Sequence, residues 1–68
     1  MLNERIEIWC AANGKNRAAL AAMLGTTANA ISKWAARRSV PRVETNKRLA
    51  ELLGLDPVQL REWFKSKS

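Results

Sequence analysis

Apolar residues along the chain gather into five short stretches with helical spacing, bounded by Asn, Gly, Thr, Pro or Asp. The central pair governs the rest. In one run Leu20, Ala21 and Leu24 fall at i, i+1 and i+4; in the next, Ile31, Trp34 and Ala35 fall at i, i+3 and i+4. Gly25 and the pair Thr26-Thr27 lie between them. Runs of about eight residues do not persist alone in water, so these two are predicted to fold against each other. Gly25 suits the corner, because the residue just past a helix end often takes φ > 0. Ala18, Ala21 and Ala22 keep the first run slim enough for a second helix to cross closely. Two short helices joined by a tight, glycine-containing turn form a helix-turn-helix, which can set its second helix in a DNA major groove.

The pattern as a whole predicts a single all-α domain over residues 1–68, with helices at about 3–12, 17–24, 28–37, 43–53 and 57–65. Asn3 is placed as the first N-cap, with Glu4 complementing the helix dipole. Ile6, Trp9 and Cys10 share one face as core, and Asn13-Gly14 ends that helix. Asn16 and Thr27 are placed as the next two N-caps. Pro41 bars continuation beyond Val40. Leu49, Leu52 and Leu53 form the buried side of the fourth helix, which stops at Gly54. Asp56, Pro57 and Gln59 have the spacing of a capping box for the fifth. Val58, Leu60, Trp63 and Phe64 follow, and so short a helix cannot turn all four inward. Adjacent Trp63 and Phe64 diverge by about 100°, so at least one is expected outside, as a candidate dimer-interface residue.

Composition narrows the chemistry. Cys10 is the only cysteine and histidine is absent, so no intrachain disulfide and no zinc site of the usual spacing is available. Catalytic constellations are missing too: there is no histidine, paired-carboxylate cleft or phosphate-cradling glycine loop. No enzyme, no cofactor and no small-molecule substrate are expected. The longest unbroken apolar run, Ala18 to Leu24, has seven residues, far short of the roughly 18 that span a bilayer. No membrane partner is expected, and the single thiol suits the cytoplasm.

Charge changes the picture more. The net charge is +6. Between Lys15 and Arg48 stand eight cations, Lys15, Arg17, Lys33, Arg37, Arg38, Arg42, Lys47 and Arg48, against one acid, Glu44. Outside that segment four cations meet five acids. All the excess positive charge therefore surrounds the central pair of helices, a one-signed field suited to a phosphate backbone. With Ile31, Trp34 and Ala35 inward, the opposite side of the third helix carries Thr27, Ala28, Asn29, Ser32, Lys33 and Ala36. Asn29 can pair with adenine and Lys33 can donate to guanine; Ser32 serves either, and Ala28 or the Thr27 methyl can touch a thymine methyl. Asn16 has two roles open to it, capping alone or capping together with a phosphate at the helix start. Lys15, Arg17, Arg37, Arg38 and Lys47 are the further candidate backbone contacts.

Leu20-Ala21, Leu24-Gly25, Ile31 and Trp34 together resemble the helix-turn-helix of the lambdoid phage Cro and repressor family, also called XRE-type. Pro41-Arg42-Val43 resembles the segment after the recognition helix in some members, and Asp56-Pro57-Val58 with Leu60 resembles the last helix of all-helical Cro proteins. The short chain suits a free-standing Cro. The resemblance implies a lambda-repressor-like fold and base reading by Thr27, Ala28, Asn29 and Lys33, although Ala28 replaces a common glutamine and loses its hydrogen bonds. It also places Arg42 at a minor groove, across an exit loop about one residue shorter than in similar proteins. The expected partner is a double-stranded, near-palindromic operator bound by a homodimer that blocks polymerase. Two other readings stay open: the same fold as an antitoxin or activator subunit, and a basic RNA-binding or protein-interaction module.

Overall fold

Five α-helices account for the regular structure of the computed structural model, which describes residues 2–66; no strand occurs among them. They are α1 (Leu2–Asn13), α2 (Arg17–Leu24), α3 (Ala28–Ala35), α4 (Val43–Leu53) and α5 (Pro57–Lys65). Each contributes two or more buried residues to one core: Leu2 and Ile6; Leu20, Ala21 and Leu24; Ile31 and Trp34; Leu49, Ala50 and Leu53; Leu60 and Phe64. No helix could bury such a face alone, so the core is what stabilises all five.

Most of these helices stop in the same way. At the ends of α1, α2 and α4 a glycine takes a left-handed conformation, with φ of 60° at Gly14, 68° at Gly25 and 70° at Gly54. Each end is closed by two backbone hydrogen bonds. At α2, Thr26 N–H donates to Ala21 O (2.9 Å) and Gly25 N–H to Ala22 O (3.3 Å). This is a Schellman closure, which satisfies carbonyls that the helix leaves free. α3 closes with the same pair, Arg38 N–H to Lys33 O (2.8 Å) and Arg37 N–H to Trp34 O (3.0 Å). Here the left-handed residue is Arg37, with φ 58°. α3 therefore ends at Ala35, two residues before the expected limit of 37, because Arg37 has already left helical geometry.

Several local expectations are corrected. α1 begins at Leu2, so Asn3 lies inside its first turn and accepts a hydrogen bond from Arg17; it is no N-cap. Leu2 is fully buried and supplies a core residue that the pattern had not marked. Trp9 and Cys10 are half-buried and pack on the edge of the core. The capping box of α5 does not form: Asp56 makes no side-chain cap, although its carbonyl accepts from Leu60 N–H at 2.9 Å. Phe64 is 4% exposed and belongs to the core, so its place on a dimer surface is withdrawn. Trp63 is half-buried, its ring edge-on to Phe64 with centroids 5.1 Å apart, so neither aromatic is freely exposed.

Candidate nucleic-acid interface

The two helices of the helix-turn-helix are each started by a side-chain cap. Asn16 Oδ1 accepts from Ala19 N–H at 2.9 Å, starting α2, and Thr27 Oγ1 accepts from Ala30 N–H at 3.1 Å, starting α3. Both caps have extended backbone, the geometry that lets a short polar side chain reach forward to the third residue. Between them, Gly25 reverses the chain and α3 packs on α2, whose small Ala21 is 2% exposed. The core thereby fixes the rotation of α3 about its axis.

That rotation decides what faces outward. Ile31 is fully buried and Trp34 is 6% exposed. The opposite side carries Thr27, Asn29, Ser32, Lys33 and Ala36 in solvent, with Ala28 half-buried. An asparagine amide, a hydroxyl and an ammonium group are thus held on a helix whose other side is anchored by an indole. The set can donate and accept hydrogen bonds at base edges. Nothing in it is arranged as a nucleophile with a base. Among the described residues, no group of His, Cys, Asp and Glu is placed to hold a metal ion. No described helix is long and apolar enough to cross a membrane.

The eight cations of the central segment divide into two groups. Lys15, Lys33, Arg38, Arg42 and Lys47 are exposed around the helix-turn-helix, and Asn16 is exposed with them. Arg42 stands at the N-cap of α4 without capping it, so its side chain is not spent on the helix end. The other three are engaged within the chain. Arg17 donates to Asn3 Oδ1 and lies 3.3 Å from Glu7 Oε1, drawn toward α1. Arg48 donates to Met23 O at 3.1 Å, tying α4 to the last turn of α2. The Arg37 guanidinium carbon sits 4.0 Å from the centre of the Trp63 ring.

Two features of this surface were not anticipated. Asn46 is only 5% exposed; its Nδ2 donates to Pro57 O at 3.0 Å, while its buried Oδ1 has no partner. Its register with Leu49, Ala50 and Leu53 is the helical i, i+3, i+4, i+7 series, so the signal was present in the spacing. The second is apolar. Val40, Val43 and Val58 are 60%, 56% and 66% exposed and line adjoining shallow grooves with Pro41, Pro57 and Arg61.

A family model described as helix-turn-helix (HTH_3) matches residues 6–60, most of the chain and all of α2, α3 and α4. No curated protein and no solved structure matches the chain at a significant level.

Proposed function

We propose, on the premise that the chain belongs to the XRE-type helix-turn-helix family of DNA-binding transcription regulators, that it is a Cro-type repressor reading a near-palindromic operator as a dimer. One observation carries this reading. α3 buries Ile31 and Trp34 and leaves Asn29, Ser32 and Lys33 in solvent, in the part of the chain where the excess positive charge lies. In the proposed complex α3 enters the major groove. Asn29 and Lys33 supply directional hydrogen bonds there, Ser32 supports them, and Thr27 and Ala28 contact the groove at the start of the helix.

Lys15, Asn16, Arg38 and Lys47 hold the phosphates on either side. Arg42, at the start of α4, reaches toward the adjacent minor groove, where narrow A·T-rich DNA concentrates negative potential. α3 is short and offers few base contacts, so specificity calls for a second copy about 34 Å along the duplex. We assign the contact between copies to the exposed valines, Val40, Val43 and Val58, in place of the buried Phe64. Bound in this way over a promoter, the dimer blocks polymerase.

Duplex DNA is favoured over RNA because single-stranded RNA readers stack bases on exposed aromatics. Trp34 and Phe64 are buried here, and Trp9 and Trp63 are half-buried. Selection of bound duplexes from a random pool, followed by footprinting, tests the proposal. The expected result is a two-fold symmetric site with half-sites one helical turn apart. Equal affinity for all duplexes, or equal competition by structured RNA, would overturn it.

A further inference from the structure

Four helices end in the same pair of backbone hydrogen bonds, and three of them place glycine at the left-handed position. The fourth places Arg37 there, at φ 58°. A side chain is disfavoured in that conformation because its Cβ crowds the following carbonyl. Glycine would close the turn without that strain, so closing α3 does not require arginine. What the side chain adds is its guanidinium, 4.0 Å above the Trp63 ring, the aromatic that binds a cation best. Both residues are half-buried, which strengthens the attraction relative to open solvent. The backbones of α3 and α5 do not approach each other, so this side-chain contact ties the exit from the recognition helix to α5. Arg38 follows directly, and the loop then leads to Arg42.

We propose that Arg37 is a positioning residue: stacked on Trp63, it fixes the exit from α3 against α5 and so aims Arg38 and Arg42, and it is not itself a phosphate contact. The inference rests on the DNA-binding reading above and specifies one part of it. It is tested by measuring affinity for the selected duplex against salt, together with thermal midpoints, for Arg37→Leu, Trp63→Leu, the double variant and Arg38→Leu.

Each of Arg37→Leu and Trp63→Leu is expected to weaken binding about threefold to tenfold. The double variant should bind no worse than the weaker single, and any change in salt slope should be the same in the two singles. Arg38→Leu should instead make the slope shallower by about 0.9. Native affinity in Trp63→Leu, or a slope shallower by about 0.9 in Arg37→Leu that Trp63→Leu does not share, would overturn the proposal, since a phosphate contact does not need the indole. Arg37→Gly separates folding from positioning. A midpoint at or above the native one with weakened binding supports the clasp, and the same midpoint with native binding overturns it. If the native chain selects no duplex, the DNA reading fails first. The clasp is then decided by the thermal cycle: coupled midpoints for Arg37→Leu and Trp63→Leu support it, and additive ones overturn it.

Discussion

Asn29 and Lys33 stand one helical turn apart on the solvent side of α3, and that separation lets them address different base pairs. Asn29→Ala and Lys33→Ala are each expected to cost about 1–3 kcal/mol and to relax preference at a single operator position. Affinities for the selected duplex and its single-base variants check this; an unaltered preferred site in Lys33→Ala would remove that residue from the reading set. The outward turn of these two side chains and the inward turn of Trp34 were legible in the sequence, because helical periodicity fixes which residues share a side. Partners were not legible. Arg17 meets Glu7 across 10 positions and Arg48 meets Met23 across 25, and no local pattern reports which sides of two helices will meet. Asn46 was overlooked for a different reason. Its spacing marked it as buried, but an amide inside a small core runs against composition.

At the level of helices and their ends, the turn after α2 is the sharpest case. A Cβ built on Gly25 would meet nothing within 4 Å, so crowding by neighbours plays no part in the choice of residue. The requirement is φ of 68° alone. Gly25→Ala should therefore cost about 1–2 kcal/mol, the penalty of a left-handed backbone for an L residue, with little change in the core. Chemical denaturation measures it, and native stability in that variant would show that the turn relaxes to another conformation. The starts of α2 and α3 followed from Asn16 and Thr27, whose side chains make the bonds their types suggest. Two boundaries did not follow. α3 stops early at an arginine, a residue with no preference for left-handed geometry, held there by an indole 26 positions later. α5 has Asp56 and Gln59 at capping-box spacing, yet it starts from the Asp56 carbonyl alone. Spacing shows that such a bond is possible; the backbone angles at the cap decide whether it forms.

Across the whole molecule, formal charge overstates what faces a ligand. Three of the eight central cations, Arg17, Arg37 and Arg48, are engaged within the chain, whereas Lys15, Lys33, Arg38, Arg42 and Lys47 are exposed. The salt dependence of binding should follow the five cations outside those internal contacts: a slope of about −4 to −5 per protomer, and not the −7 or so that all eight would give. Titrations from low to moderate salt check this, and a slope near −7 would mean that the internal pairs open on DNA. The all-α class and the helix-turn-helix were legible from end to end, because periodicity, caps and charge placement agreed with one another. The apolar surface of Val40, Val43 and Val58 was not, since three separated valines become one patch only after α4 and α5 are folded together. The backbone of α5 lies against α4 and no other helix, whereas α4 also meets α1 and α2. Opening α5 therefore breaks fewer contacts than opening any other part of the core, and its amides should lose hydrogen-exchange protection before those of Leu49–Leu53. The last described helix should thus be the segment from which the molecule first breathes, its brief departures exposing Leu60 and Phe64 and freeing Arg37 from Trp63 while α2 and α3 stay packed.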